Sequence, residues 1–287
     1  MTGPIDLHTH SALSDGTDAV AELVAAAKAA GLAVVALTDH DTTAGWDAFR
    51  AAGARLGLDT LVGIEVSTHL PEAGESHPVH LLAYGCRPDP ELEDLLETVR
   101  EARRTRVPRM VAALADLGYP LTPAEVAAQS SAAVTTGRPH VADALVARGY
   151  VADRDEAFRE FLYDGGPAYI PRYTPSTAGT IELVNRCGGV AVLAHPWGRG
   201  NRAVLTPPVV AALASRGLVG LEVHHVDHTA DDVRVLEGLA DDLGLISTGG
   251  SDYHGTGKTR NPLGARLTGP DQYRSIRTLI QERGGQP

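Results

Sequence analysis

The sequence predicts an α/β barrel carrying an all-helical insert, and three observations predict it. Short apolar runs of strand length recur along the chain, helical stretches separate most of them, and a residue able to bind a metal stands at or just past nearly every run. Strands that alternate with helices are expected to lie parallel with right-handed crossovers, so their carboxyl ends share one face. A closed barrel builds its active site on that face, whereas an open doubly wound sheet places its ligand at a switch point. Six or more ligand-bearing strand ends favour the barrel.

Ile5 and Leu7 alternate with polar neighbours and lead into His8-Thr9-His10, a short first strand ending in a loop. Thr17 or Asp18 is placed to cap a helix whose alanine-rich body runs through Glu22 and Lys28 and stops at Gly31. Ala33 to Leu37 is a continuous apolar run, as a strand buried on both faces requires, and Thr38-Asp39-His40-Asp41 follows at once. Leu61 to Ile64 precedes Glu65, Val79 to Tyr84 surrounds His80, and Val190 to Ala194 precedes His195. Leu218 to Val223 surrounds Glu222, and Leu245 to Ser247 lies shortly before Asp252.

Between about Asp89 and Arg172 this rhythm breaks. Residues Pro90 to Leu117 read as two helices separated near Pro108, because an interior proline removes a helical hydrogen bond. Helical stretches around Pro123 to Gln129, Pro139 to Arg148 and Asp153 to Tyr163 follow without a strand signal. The expected division is a barrel of residues 1–88 and 172–287 with a substrate-capping helical insert of residues 89–171.

With 287 residues and 43% hydrophobic content, the chain is long enough to bury such a core. The two cysteines, Cys86 and Cys187, form no CxxC pair, which disfavours a thiolate metal site or a disulfide scaffold. No uncharged apolar stretch approaches the roughly 18 residues of a membrane span, and no basic leader with an apolar run opens the sequence. A cytoplasmic protein with no membrane partner is expected. The net charge of −11 repels long nucleic acid while leaving a small phosphorylated substrate open.

Twelve histidines stand against only 3 phenylalanines and 2 tryptophans. His8 and His10, at i and i+2 of an extended segment, point to one side and can grip one ion. Asp15, His40, Glu65, His80, His195, Asp252 and His254 add further nitrogen and oxygen donors. Any one of these histidines is as well explained by a hydrogen-bonded core side chain; nine suitable groups at one end of one sheet are not. Imidazole and carboxylate without thiolate suit manganese, iron or zinc, and nine donors exceed the needs of one ion, so two or three divalent ions are expected. A carboxylate such as Glu65 can bridge two ions, and coordination lowers the pKa of water enough to make a hydroxide nucleophile.

Two competing motifs fail. Gly257-Lys258-Thr259 resembles the end of a phosphate-binding P-loop, but Asp252 stands where its first glycine belongs. Gly249-Gly250-Ser251-Asp252-Tyr253 begins like a nucleophile elbow and ends in Tyr253 instead of glycine. For phosphate recognition, Arg100, Arg103, Arg104, Arg106 and Arg109 read mostly as a solvated helix face. Arg138 and His140 are better placed, since Thr136-Gly137 should cap a helix beginning at Pro139 and a helix N-terminus favours anions. Arg199, four residues after His195 in a glycine-bearing loop, is placed to touch substrate.

The set resembles a known family. Asp6-Leu7-His8-Thr9-His10 with Ser14-Asp15-Gly16, Leu37-Thr38-Asp39-His40-Asp41, Gly63-Ile64-Glu65-Val66-Ser67, His80, Ala194-His195-Pro196 and Gly250-Ser251-Asp252-Tyr253-His254 are similar, in order and identity, to the motifs of polymerase-and-histidinol-phosphatase (PHP) phosphoesterases. The resemblance implies a distorted seven-stranded β/α barrel and a trinuclear metal centre. It assigns His8, His10, Glu65 and Asp252 to one ion, Glu65, His80 and His195 to a second, and Asp15, His40 and His254 to a third. Gly137-Arg138-Pro139-His140 and Ala168-Tyr169-Ile170-Pro171 resemble the stand-alone nucleotide phosphatases of the family, which act on nucleoside 3′,5′-bisphosphates or on short RNA 5′ ends. Gly165-Gly166-Pro167 stands where relatives often carry a lysine, which removes one expected phosphate contact. His69 and His77 miss the matching ligand position and read as loop residues.

The expected reaction is in-line attack of a metal-held hydroxide on the phosphate monoester of a small nucleotide, a 3′,5′-bisphosphate or an AMP-like compound. Asp15, Glu65, His195 and Arg199 are the expected catalytic residues, and Arg138, His140, Arg199 and His228 the expected substrate contacts; His228 could instead support a contact, and reads equally well as an ordinary core or exposed side chain. The alternatives are a 5′-3′ exonuclease on short oligonucleotides, a histidinol-phosphate phosphatase and a non-catalytic PHP module.

Overall fold

The computed structural model describes residues 3–72, 75–129, 137–163 and 165–286. The apolar runs become one seven-stranded sheet whose order follows the chain. Its strands are β1 (Ile5–Asp6), β2 (Val34–Leu37), β3 (Asp59–Glu72), β4 (Glu75–Tyr84), β5 (Val190–Leu193), β6 (Gly220–His224) and β7 (Ile246–Gly249). Alternation explains why β2 and β5 are apolar throughout. Val34, Ala36, Val190 and Val192 turn into an interior cluster with Ile5, Leu61, Leu82 and Tyr84. Val35, Leu37, Ala191 and Leu193 turn outward, among residues of α1 (Val20–Ala29), α2 (Trp46–Leu56) and later helices.

The sheet curls almost closed. Between β1 and β7 the described backbone links are few: Leu7 N donates to Gly249 O at 3.4 Å and His10 N to Tyr253 O at 2.9 Å. The last helix, Pro270–Glu282, packs Tyr273, Ile276 and Ile280 into the interior cluster. It meets Gly85, just after β4, and its C-terminal Arg283 donates to Gly189 O, just before β5. It therefore covers the end of the barrel opposite Glu65 and His195.

Not every strand is parallel. β3 pairs antiparallel with β4, and β4 antiparallel with β5, while the remaining pairs are parallel. Two residues separate β3 from β4, too few for a crossover, so the connection has to be a hairpin. His80 still reaches the common face, because an antiparallel strand brings its early residues to the end where its neighbours finish; it pairs with Ser67 on β3. His69 and His77 lie in this hairpin, opposite Pro78 and Leu70, and not in loops.

Two local expectations are corrected. Helix α1 begins after Ala19, whose N–H donates to Glu22 Oε2 at 2.9 Å. Thr17 and Asp18 do not cap it: they hold a distant loop, accepting from Thr256 N at 2.9 Å and Tyr253 OH at 2.8 Å. Helix α3 (Pro90–Asp116) runs unbroken through Pro108. Pro108 and Arg104 are both exposed, so water can meet the carbonyl that loses its donor, while Val107, Met110, Val111 and Leu114 are buried on the other face. A cost of about 3 kcal/mol for the proline is offset by several buried side chains at roughly 1.5–3 kcal/mol each.

The chain divides into two compact units, Met1–Leu96 with Thr174–Pro287, and Glu97–Tyr173. The first turns of α3 belong to the barrel, where Leu92 and Leu96 are buried. The second unit holds the rest of α3, α4 (Pro123–Ala128), α5 (Arg138–Ala147), α6 (Arg154–Ala157) and a π-helical turn at Phe158–Leu162. Its own core contains Met110, Leu114, Val126, Val141, Leu145 and Leu162.

Candidate metal centre

Three buried motif carboxylates shape the loops that carry the site. Asp6, at the end of β1, accepts from Ser251 N at 2.9 Å and Gly264 N at 2.8 Å, tying the first strand to the last. Asp39 accepts from Ser11 N at 2.7 Å and from the hydroxyls of Ser11 and Ser14 at 2.6 and 2.7 Å. Asp41 accepts from Ser67 N and Oγ at 2.7 and 2.9 Å. Backbone and hydroxyl donors thus engage these three, and other side chains form the cluster.

At its centre is Glu65, fully buried in β3. Its Oε1 lies 2.6 Å from His80 Nδ1 and 3.0 Å from His195 Nε2. Its Oε2 lies 3.1 Å from His10 Nε2, 3.2 Å from His8 Nε2 and 3.3 Å from His40 Nε2. Around it, three sets of donor atoms each fit within 4.8 Å: His8, His10, Glu65 and Asp252; His10, Asp15, His40 and His254; and His40, Glu65 and His80. The structure therefore gathers all nine residues picked out as metal donors, His195 joining through Glu65. The sets differ from the expected grouping by placing His10 also beside Asp15 and His40 also beside His80.

The rings are aimed. His8 Nδ1 donates to Glu222 Oε1 at 2.9 Å, His254 Nδ1 to the Asp252 carbonyl at 2.8 Å, and His40 Nδ1 to the Glu65 carbonyl at 3.4 Å. A proton held on each Nδ1 leaves the Nε2 lone pair facing the cluster. His8 Nε2 and His10 Nε2 then approach to 3.1 Å. Converging lone pairs and carboxylates, most of them buried, are what a bound cation would satisfy, so the donor set fits divalent ions.

Electrostatics agree. Burial pushes Glu65, Asp252 and Asp15 toward the neutral form, yet each is held well below the usual carboxylate range: Glu65 by His40, His80 and His8, Asp252 by His10 and His225, and Asp15 by His254 and His40. Burial likewise opposes charge on His10, but Asp252 and Glu65 raise it to about 9. His40 moves the other way, well below its ordinary value, through burial and its neighbours His10 and His80. The metal-free cluster keeps its carboxylates ionised and cannot protonate every ring.

Two further buried residues stand behind the expected donors. Glu222 of β6 orients His8 with one oxygen and accepts from His195 N at 2.7 Å with the other. It thereby steadies His195 in a left-handed backbone conformation, φ 30°. Asp252 shares that unusual region at φ 53°. Such conformations cost roughly 1–3 kcal/mol and persist where surrounding contacts hold them. His225 is fully buried, its ring centroid 5.1 Å from that of His195. A carboxylate inside the apolar run Leu218 to Val223, in a stretch that resembles one near the site in the family, pointed to Glu222 without giving it a role; nothing local distinguished His225.

His228 joins two loops: Nδ1 donates to Val223 O at 2.8 Å and Nε2 accepts from Trp197 N at 3.2 Å. Arg199 lies in the 3-10 helix Gly198–Ala203, and its side chain is outside the described residues. A cavity of about 170 Å³ lined by Pro78, His80, His195 and Asn201 opens beside the cluster. In the helical unit, Arg138 starts α5, donates to Leu162 O at 3.4 Å and lies over the Tyr169 ring. His140 accepts from Gly137 N at 3.0 Å, capping that helix; Thr136 is outside the described residues.

Residues 6–113 match the PHP domain. Over 91% of its length the chain is 33% identical to a 3′,5′-nucleoside bisphosphate phosphatase of Chromobacterium violaceum, covering 90% of that protein. The chain belongs to the PHP family. The chain is also similar to a phosphoribosyl 1,2-cyclic phosphate 1,2-diphosphodiesterase of Eggerthella lenta, 35% identical (87% of this chain, 94% of that one), and to a 5′-3′ exoribonuclease of Haemophilus influenzae, 30% identical (88% and 91%). A solved structure from Bifidobacterium adolescentis, described among the metal-dependent phosphoesterases, superposes with a TM-score of 0.77 at 38% identity, over 97% of this chain and 98% of that one. This PHP protein is accordingly a hydrolase, a metal-dependent phosphoesterase on a seven-stranded barrel. Among the described residues no helix is long and apolar enough to cross a membrane.

Proposed function

We propose that this PHP phosphoesterase removes a phosphate from a small nucleotide, a nucleoside 3′,5′-bisphosphate or an AMP-like compound, at a centre of two or three manganese, iron or zinc ions. The observation that carries the reading is Glu65, with five imidazole nitrogens within 3.3 Å of its two oxygens. Each oxygen serves a different group of rings, as a bridging carboxylate would. His8, His10, Glu65 and Asp252 would hold one ion, Glu65, His80 and His195 a second, and Asp15, His40 and His254 a third. Bound there, the ions supply a water that ionises near neutral pH and positive charge for the phosphoryl oxygens.

The chain's own residues do the rest. Glu222 fixes the tautomer of His8, and Asp15, Glu65 and His195 keep the donor geometry. The substrate is expected in the cavity beside His80 and His195. Arg199, on the turn after His195, would neutralise phosphoryl oxygens, and Arg138, at the start of α5, would offer its guanidinium to a phosphate. His140 and His228, with backbone partners, would brace the segments bearing these arginines. The net charge of −11 supports a small substrate over long nucleic acid. The exoribonuclease relative favours a second reading, trimming of short RNA from its 5′ end.

Phosphate release from adenosine 3′,5′-bisphosphate, AMP, histidinol phosphate and a 5′-phosphorylated RNA trinucleotide, by manganese-loaded and chelated protein, tests this. Fast metal-dependent release from the bisphosphate is expected. Release of mononucleotides from the trinucleotide alone would transfer the assignment to the nuclease, and silence on all four would sink both readings.

A further inference from the structure

Gly257-Lys258-Thr259, the incomplete phosphate-loop motif, is unused by the reading above, yet its lysine meets the cluster. Lys258 Nζ donates to Asp252 Oδ2 at 2.7 Å. The other oxygen, Oδ1, faces His10 Nε2 at 3.4 Å and His8 Nε2 at 3.6 Å. The two oxygens of one buried carboxylate therefore face different groups. His225 stands behind Oδ2: its Nδ1 accepts from Asp227 N at 3.1 Å, which puts the proton of the neutral ring on Nε2, 3.6 Å from Oδ2. The loop is fixed by Thr256 N donating to Thr17 Oγ1 at 2.9 Å and Asn261 Nδ2 donating to the Asp252 carbonyl at 3.3 Å.

We propose that Lys258, backed by His225, is a positioning residue that restrains Oδ2 of Asp252, so that Oδ1 alone reaches the ion shared with His8, His10 and Glu65. This rests on the metal centre proposed above. A carboxylate free to turn can chelate with both oxygens and fill a coordination position; a carboxylate held by one oxygen leaves that position for water or substrate, as a catalytic site requires. A lysine with a simpler role would leave a different trace: loss of one that merely aimed the ligand would weaken ion binding, because contacts behind a ligand support affinity, and loss of one that merely offset the buried charge would leave the cobalt bands unchanged.

The test compares the full chain with K258M and K258R after chelation and reloading with manganese or cobalt. In K258M the freed oxygen and the missing positive charge should let manganese bind at least as tightly as in the wild type. The visible cobalt bands should weaken as coordination number rises, and kcat should fall by about 10-fold or more. K258R, which keeps a donor, should restore the wild-type bands. Weaker manganese binding in K258M, or wild-type bands with wild-type kcat, would overturn the proposal while the metal centre stands. Failure of the wild type to take up manganese would overturn both.

Discussion

Glu222 shows how one side chain can set both a ring and a backbone. It is fully buried and would be costly to ionise, yet the charge on His8 holds it down at about 2, from an ordinary 4.5. A depressed carboxylate stabilises the fold fully above its unfolded pKa, and the contribution disappears as pH falls from about 4.5 through about 2. The shift corresponds to roughly 3 kcal/mol. Urea unfolding of chelated protein should therefore lose less stability on acidification through that window in Glu222→Gln than in the wild type; parallel losses would show that Glu222 is not the group responsible. At this scale the sequence was informative for donors and poor for their supports. Histidines placed after apolar runs stand out because nothing in a strand or turn needs them, whereas an acid there can equally serve the turn, as Asp39 and Asp41 do. The roles of His225 and Lys258 depend on which atoms they meet across the barrel, and those contacts have no local signature.

Strand ends carry the donors, so packing at the strand termini decides whether the donors align. Gly250 follows β7 and precedes Asp252; a Cβ there would lie 2.3 Å from His8 Cβ and 2.7 Å from His8 N. Neither atom is the end of a flexible chain, so Gly250→Ala must push the first strand away from the last. Overpacking of this kind costs about 1–3 kcal/mol. Gly250→Ala is expected to lower the urea midpoint and to reduce manganese uptake together, whereas Gly238→Ala, with nothing within 4 Å, should do neither. A Gly250→Ala protein with wild-type uptake would show that this approach does not set donor geometry. The hairpin was the element least legible in advance. Pro71 and Pro78 stand in β3 and β4 and argue against strands, yet β4 pairs with β5 only from Leu81 to Tyr84. Pro78 thus lies beyond the shared ladder, where its missing N–H costs little. Pro108 misled for a related reason, since its exposed face let the helix continue.

A barrel closes only if its first and last strands meet, and here β1 is two residues long. Beyond the Leu7 and His10 links, Thr268 wedges the seam, with N donating to Ile5 O at 2.9 Å and Oγ1 to Gly249 O at 2.7 Å. His8 and His10 lie on one side of this seam and Asp252 and His254 on the other, all proposed as donors. Ions shared across it would clamp what few backbone bonds hold, and binding to the folded state alone stabilises by about 2.7 kcal/mol at a hundredfold excess over Kd. Amide exchange with and without manganese should therefore show the largest gain in protection at His10, Gly250 and neighbouring seam residues. Val192 and Leu193, inside the sheet between two paired neighbours, should gain least. A uniform gain would mean the ions stabilise the barrel as a whole, and equal exchange at the seam would mean they do not close it.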